Sequence, residues 1–412
     1  MAIDPLPKNV RKRRVFYIPG YDPIHPRRYR ELYRTESAKQ AHISEYEITQ
    51  TPKNGDGPYG WHTAADMDGS RVTADIEVLL WSDIVRDSMA TSIPATYAQL
   101  IRTAWIYIST GALWRLMKMR KGPVIAALYP IGFLIAQFVI AVLIGWVAAR
   151  LSGAVIAPLI GNASLVTSAA LGGLVIWLVL GWFKRVDNRV FAYYLMHDYA
   201  FSARWWGGNP PELDVRMQEF ADIIANAMAD DVDEVLVVGH SSGAHLAVSI
   251  LADLLRSKRL SSTGPELNFL SLGHVVPMMS FLPQADKLRA DLAYLSAQDR
   301  IAWVDVTAPG DGCSFALCDP VAVSGVTPAD KRWPLVMSAA FSQTLQPETW
   351  KALRWRFFRL HFQYLCAFDR PGDYDYFRIT SGPTSLRARY DGRRPSKSRI
   401  ETPLSKYTSM SS

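Results

Sequence analysis

The sequence has little cysteine, and its cysteines form no recognisable pattern. Cys313, Cys318 and Cys366 are the only three, and their spacing is not that of a metal site. A small, odd number argues against a disulfide framework and is typical of a protein in a reducing compartment. We therefore expect no metal, and no motif here calls for a cofactor.

A secretory signal peptide is also missing. Residues 1–14 are basic, but no apolar signal-peptide core follows them. The strand-like run Val15-Phe16-Tyr17-Ile18 comes next and leads into a loop beginning with Pro19. The pattern predicts that the chain has no cleaved secretory signal.

Charge is nearly absent from residues 122–183, where Arg150 is the single charged residue. Gly153, Pro158, Gly161 and Asn162 interrupt this run. Residues 124–149 and 165–183 are each long enough to cross a hydrocarbon core, which takes about 20 helical residues. The run predicts a transmembrane hairpin; two fully buried helices of a large soluble domain are the alternative.

Basic residues on both sides of this run predict its orientation. Positive charge accumulates on the cytoplasmic side of membrane spans. The protein is therefore expected in the inner membrane of the cell, with both chain ends in the cytoplasm. Residues 97–119 before the run are either an interfacial helix or an ordinary core helix. The flanking basic residues are Arg115, Lys118, Arg120, Lys121, Lys184, Arg185 and Arg189.

The pentapeptide Gly239-His240-Ser241-Ser242-Gly243 has the form G-x-S-x-G. The β-branched run 235–238 precedes it and the apolar-periodic segment 244–251 follows it, so the context is strand, turn and helix. A nucleophile elbow needs this context, because its glycines prevent a collision between the strand and the helix and leave the serine exposed at the tip of the turn. A tight turn that happens to contain serine is the alternative.

This pentapeptide and the upstream Ile18-Pro19-Gly20-Tyr21 resemble the α/β-hydrolase superfamily. The resemblance implies an α/β fold with a mostly parallel sheet flanked by helices, here interrupted by a two-helix transmembrane hairpin. It also implies a catalytic serine, Ser241, followed along the chain by an acid and then a histidine.

The acid is expected in a loop after a later strand, and Asp311 follows the run 302–306 in this way. A Gly-Asp-Gly turn also favours aspartate for local hydrogen bonds. Asp305 and Asp319 are rival candidates.

Downstream of Asp311 the only histidine is His361, which the family order makes the base. A core histidine on an aromatic-rich helix is the alternative, and His274 is a rival that breaks the order. His240 is expected to pack or to shape the pocket, and His245 to be structural.

The oxyanion donors implied by the resemblance are the backbone N–H groups of Ser242 and Tyr21. In the family the loop after the first strand usually reads His-Gly-x, whereas this sequence has Pro19-Gly20-Tyr21. The histidine is therefore absent from this loop.

Together these patterns predict four segments. Residues 1–121 and 184–380 form one hydrolase domain, 122–183 form the hairpin, and the basic tail 381–412 is disordered at its end. The expected function is a membrane-anchored serine esterase or lipase acting on a small-molecule or lipid ester, without nucleic acid. A non-catalytic membrane-attached binding or assembly module is the alternative, and a transporter is disfavoured because its spans lack ionisable residues.

Overall fold

The computed structural model of the chain describes residues 10–411 apart from 54, 56, 90–91, 162, 188–190 and 262. Residues 1–9 of the basic N-terminus, the interrupting Asn162 and the flanking Arg189 therefore lie outside the described residues. The fold is α/β, with a mixed eight-stranded sheet flanked by helices. Two of the helices are long and apolar.

The sheet has the strand order β2-β3-β4-β1-β5-β6-β7-β8. β2 with β3 and β3 with β4 are antiparallel, and every other neighbouring pair is parallel. The strands are β1 Lys12–Ile18, β2 Glu47–Pro52, β3 Gly60–Met67, β4 Ser70–Val78, β5 Glu234–His240, β6 Glu266–Leu272, β7 Ile301–Thr307 and β8 Leu335–Ser338.

Helices account for most of the remaining structure. They are α1 Arg27–Ser44, α2 Ser82–Ser88, α3 Ile93–Ser109, α4 Ala112–Met119, α5 Lys121–Ile160, α6 Ala163–Arg185, α7 Ala192–Arg204, α8 Pro211–Ala227, α9 Gly243–Arg256, α10 Val276–Ser280, α11 Asp286–Ala297, α12 Pro320–Val323, α13 Phe341–Thr344, α14 Pro347–Leu353, α15 Phe357–His361, α16 Tyr376–Ser381 and α17 Leu386–Arg389.

The chain divides into two compact units. The first consists of residues up to 87, 110–123 and from 205 onward, and it contains the whole sheet. β5 is buried along its entire length, which fits its unbroken hydrophobic run between two parallel neighbours. Sequence-distant strands β1 and β5 therefore meet in the middle of one sheet.

The second unit consists of residues 88–109 and 124–204, and so is larger than the predicted hairpin 122–183. In it, Leu100 of α3 and Met196 of α7 share a buried cluster with Leu134 of α5. The hydroxyl group of Tyr97 donates a hydrogen bond to the backbone oxygen of Leu134 at 2.9 Å. α3 and α7 thus pack against the first half of α5.

α5 and α6 approach each other closely at glycine. A Cβ atom on Gly172 would lie 2.8 Å from the backbone oxygen of Gly145, and one on Gly153 would lie 3.1 Å from Ser168 Oγ. Both helices are long and apolar enough to cross a membrane, and only 22% of the most apolar stretch of each is buried. Small residues at such a crossing are a common means of helix packing in lipid.

The beginning of the C-terminal tail is fixed to the sheet, whereas disorder is expected from the composition at the end of the tail. Arg13 and Glu234 form a fully buried ion pair, with 2.5 Å between Nε and Oε2. The Arg13 guanidinium also donates to the backbone oxygen of Gly382 at 2.8 Å, and Glu234 accepts from the backbone N–H of Leu386 at 2.8 Å. The tail is ordered here because its backbone supplies partners that a buried ion pair needs.

The aromatic-rich stretch 350–368 around His361 is not one continuous helix. It contains the end of α14, then α15, and then a short 3₁₀ helix at Gln363–Leu365. The backbone leaves helical geometry at Arg356, with φ −98° and ψ 67°. This break begins a new helix that ends at His361.

Candidate active site

Ser241 sits on a sharp turn between β5 and α9. Its φ is +57°, in the left-handed region that non-glycine residues rarely adopt. A Cβ atom on Gly239 would lie 2.8 Å from the Cα of Ala244, and one on Gly243 would lie 2.6 Å from the backbone oxygen of Pro19. Both glycines are therefore required by close packing, and the turn has the strained geometry of a nucleophile elbow.

The loop after β1 lies directly against this turn. A Cβ atom on Gly20 would lie 2.9 Å from the Cβ and 3.3 Å from the Oγ of Ser241. The indole N–H of Trp81 donates to the backbone oxygen of Pro19 at 2.9 Å, which holds the loop in place. Tyr21 is buried in this loop, and Ser242 is the residue that precedes α9. The two predicted oxyanion residues thus flank Ser241 on separate elements.

Asp311 and His361 are in contact although 50 residues separate them. His361 Nδ1 lies 2.8 Å from Asp311 Oδ2, and both residues are buried. The same carboxylate oxygen accepts from the Tyr364 hydroxyl at 3.0 Å, and Oδ1 accepts from the backbone N–H of Cys313 at 2.9 Å. The carboxylate is therefore oriented by three donors: the Cys313 N–H of its own loop, His361 at the end of α15 and Tyr364 of the following 3₁₀ helix.

These donors keep the Asp311 carboxyl ionised. Burial alone opposes its charge, but His361, the Cys313 N–H and neighbouring hydroxyls outweigh burial, so the pKa of Asp311 lies below its ordinary value. Because an ionised carboxylate only accepts, the proton of the neutral His361 ring is on Nδ1. Its Nε2 is then an acceptor, and this buried atom has no hydrogen-bond partner among the described residues.

Ser241 and His361 both border the peptide that joins Leu272 to Gly273. The backbone N–H of Ser241 donates to the Leu272 oxygen at 2.9 Å. A Cβ atom on Gly273 would lie 3.1 Å from Cε1 of the His361 ring. Gly273 has φ +53°, so both its conformation and its lack of a side chain make room for the imidazole.

His240 packs on His361 and supports it. Their ring centroids are 4.8 Å apart with an interplanar angle of 29°. His240 Nε2 donates to the backbone oxygen of His361 at 3.0 Å, which leaves Nδ1 to accept from the Tyr17 hydroxyl at 3.1 Å. Burial, reinforced by the neighbouring His361, lowers the pKa of His240 to about 3. His240 is thus a neutral, doubly hydrogen-bonded residue that sets the position of His361.

The rival acids and histidine lie in other environments. His274 Nε2 donates to the backbone oxygen of Cys318 at 3.0 Å and lies 3.6 Å from Asp305 Oδ2. Burial raises the pKa of Asp305 to about 6, and Ser271 donates to its other oxygen at 2.6 Å. Asp319 accepts from backbone N–H groups at the start of α12. Each of the three residues therefore has partners of its own outside the Asp311–His361 pair.

His245 lies on α9, and its side chain is buried. Burial lowers its pKa to about 4, and it is therefore neutral near pH 7. This environment fits the structural part expected of it.

Metal binding is chemically possible beside the Asp311–His361 pair. Ligand atoms of Asp311, Cys313 and His361 lie within 4.8 Å of one another. The carboxylate and imidazole atoms already share a hydrogen bond, which a metal ion would have to replace. The absence of a metal stays a prediction.

Two residues of this region were not predicted from the sequence. Tyr364 holds Asp311 through its hydroxyl group, which also accepts from the Ala308 N–H at 2.9 Å. Tyr17 holds His240. Tyr17 occupies an ordinary strand position, whereas the spacing of Tyr364, three residues after His361, is the one signal that pointed to it.

Comparison of the chain with protein families, curated proteins and solved structures finds no match.

Proposed function

We propose that the protein is a membrane-anchored serine hydrolase that cleaves carboxylic esters through an acyl-Ser241 intermediate. One observation carries the proposal: a buried Asp311–His361 pair, with the second imidazole nitrogen unpartnered, borders the same Leu272–Gly273 peptide as a serine held in the left-handed conformation. A serine hydroxyl becomes a useful nucleophile only when a base removes its proton and a third group orients that base.

The chemistry follows the roles of these groups. His361 Nε2 takes the proton from Ser241 Oγ as the oxygen attacks the ester carbonyl carbon. Asp311 stays ionised and stabilises the imidazolium. His361 then returns the proton to the departing alcohol, and water, activated in the same way, releases the acid and restores Ser241. The N–H groups of Tyr21 and Ser242 are the proposed donors to the oxyanion.

The position of the turn in the sheet supports assignment to the α/β-hydrolase superfamily. The serine follows β5, a central strand whose parallel neighbours are β1 and β6. The loop after β1, with Gly20 against Ser241, stands where the superfamily has its oxyanion loop. The loop lacks the usual histidine, so here Gly20 and Tyr21 complete the site through the backbone alone.

The two apolar helices support a transmembrane hairpin with both chain ends in the cytoplasm. Their apolar side chains are largely exposed, and an exposed surface of this kind favours lipid over water. Lys121 begins α5, and Lys184 and Arg185 end α6, as the positive-inside bias requires of cytoplasmic ends. A substrate that resides in the bilayer, such as a lipid ester, fits an enzyme anchored in this way.

The second candidate is a non-catalytic, membrane-attached binding or assembly module. The absence of histidine from the loop at Gly20 and Tyr21 favours it, since a scaffold can be retained without its chemistry.

A fluorophosphonate probe separates the two candidates. Wild-type protein in detergent or nanodiscs should be labelled, and labelling should disappear in Ser241→Ala. Ser257→Ala, an exposed serine just after α9, is the matched control and should be labelled like the wild type. Absence of labelling in folded, membrane-inserted wild type would refute the hydrolase proposal.

A further inference from the structure

The turn between α14 and α15 exposes arginine and aromatic side chains in alternation. This arginine–aromatic segment, residues 354–359, reads Arg-Trp-Arg-Phe-Phe-Arg. Trp355 is 73% exposed and Phe357 is 42% exposed, and their ring centroids are 6.4 Å apart. Large aromatic side chains rarely stand this far in water without a partner, so the pair marks an interaction surface.

The positive charge of this segment is not paired with a carboxylate among the residues that the structure describes. Arg354, Arg356 and Arg359 are exposed, and the ion pairs between described residues include none of the three guanidinium groups. Many other arginines of the first unit are paired with carboxylates, for example Arg216 with Asp83. The segment therefore presents a cluster of positive charge together with exposed aromatic rings.

The segment lies between the candidate catalytic pair and the start of α5. A Cβ atom on Gly312, next to Asp311, would lie 3.0 Å from Cδ1 of Phe357. On its other side Gly312 borders Gly122, where a Cβ atom would lie 3.4 Å from the Gly312 Cα. Gly122 is the second residue of α5 and belongs to the first unit. The chain that leads into the apolar helix is thus packed beside the segment.

We propose that the arginine–aromatic segment docks on the surface of an anionic phospholipid bilayer and so holds the His361-bearing helix at the lipid interface. The inference rests on the proposed membrane anchorage. If α5 enters the bilayer near residue 124, Gly122 is at the interface, because two residues span at most about 7 Å. Phe357 and its neighbours are then within reach of the headgroups.

The chemistry of the segment matches that surface. Tryptophan and phenylalanine partition into the headgroup region, and arginine binds lipid phosphates. Each basic residue close to an anionic membrane contributes about fivefold in affinity. On α4, which directly precedes α5, Trp114, Met117 and Lys118 are likewise exposed, so the neighbouring element has the same interfacial character.

Hydrogen–deuterium exchange of the full-length protein in nanodiscs tests this docking without any need for catalysis. Nanodiscs of neutral phosphatidylcholine are compared with nanodiscs containing phosphatidylglycerol. We expect amides in residues 353–360 to exchange about tenfold more slowly in the anionic nanodiscs. High salt should remove most of this protection, because it screens exposed charges.

Two triple variants distinguish an effect of the arginine–aromatic segment from an effect of net charge. Arg354→Gln, Arg356→Gln and Arg359→Gln combined should lose the protection. The matched control combines Lys258→Gln, Arg394→Gln and Lys397→Gln, which removes the same amount of charge from exposed positions elsewhere. This control variant should retain the protection from exchange. Thermal melting checks that each variant is folded.

Hydrolysis provides the second measurement. The segment variant should cleave a lipid ester embedded in anionic nanodiscs about tenfold more slowly than the control variant. Equal exchange of residues 353–360 in both kinds of nanodisc, or equal loss in both triple variants, would overturn the docking proposal. A protein that shows anionic protection but no fluorophosphonate labelling would overturn the hydrolase proposal and leave the docking in place.

Discussion

The imidazole of His240 stacks on that of His361 and donates a hydrogen bond to the backbone oxygen of the same residue. The residue before Ser241 therefore contacts both the ring and the backbone of the candidate base. A fixed base is needed because an error of about 1 Å in its position costs about a hundredfold in rate. Tyr17 on β1 completes this support through its hydroxyl group.

The stability of the first unit should rise with pH between about 4 and 6. Burial lowers the pKa of His240 to about 3 and of His245 to about 4, from 6.5. The unfolded chain therefore takes up these two protons first, and stability falls as pH falls below 6.5. Asp305, with its pKa raised from 3.8 to about 6, acts in the opposite direction over this window.

The net effect of these three groups is one proton, which corresponds to about 1.4 kcal/mol per pH unit in the free energy of unfolding; burial also raises the pKa of Glu266 and of Asp375, and these two carboxyls make the slope shallower. Chemical denaturation in detergent at pH 4.5 to 6 measures it. Asp305→Asn should steepen the dependence, since it removes the opposing group. A stability that is constant or decreasing over this window would contradict the assignment.

Replacing Asp311 by asparagine should lower turnover by about 10³ to 10⁴. The amide can no longer stabilise the imidazolium, and it allows the ring to carry its proton on the wrong nitrogen. Steady-state kinetics with a soluble ester measures the loss. Asp319→Asn is the matched control, because asparagine also caps a helix and Asp319 lies at the start of α12. If both variants turned over like the wild type, Asp311 would not be the acid.

Gly20→Ala should reduce the rate of fluorophosphonate labelling at least tenfold with a smaller effect on folding. The added Cβ would lie 2.9 Å from the Cβ of Ser241, closer than real Cβ atoms approach, so Ser241 or the loop must move. Gly372→Ala is the control, since its Cβ would meet only Thr344 Cγ2 at 3.8 Å. Equal labelling of the two variants would show that the loop is not part of the site.

Gly172→Ala should lower the thermal midpoint of the protein in detergent, and Gly173→Ala should not. A Cβ atom at Gly172 would lie 2.8 Å from the Gly145 oxygen, whereas one at Gly173 has no atom within 4 Å. Alanine stabilises a helix by about 1 kcal/mol over glycine, so the Gly173 variant should gain stability if it changes at all. The reverse order of midpoints would refute the close contact of α5 and α6.

The sequence was most informative where the structure depends on neighbours along the chain. The elbow at Ser241 is local, and the strand and helix around it were both expected from periodicity. Asp311 and His361 were selected by their order after Ser241, and the structure brings their side chains together. The site partners Tyr364 and Tyr17 depend on packing between distant segments, which periodicity does not report.

Packing between distant segments also explains where the fold differs from the sequence-based expectation. β3 was not expected, since the run His62-Thr63-Ala64-Ala65 breaks the alternation typical of a strand and the segment gains its stability from pairing with β2 and β4. The tail looked disordered because it has few large apolar residues. The beginning of the tail is held instead by a buried ion pair between Arg13 and Glu234, to which Gly382 and Leu386 of the tail supply backbone partners in addition to Asn268 of β6.

The place of β1 in the sheet has a consequence for biosynthesis. β1 pairs on one side with β4, which is made soon after it, and on the other side with β5. Between Ile18 and Glu234 the ribosome must produce both apolar helices, which takes roughly 10 to 40 s at typical elongation rates. Throughout that interval the edge of β1 that pairs with β5 has no partner strand. The nascent N-terminal half must therefore be shielded from aggregation until the second half emerges.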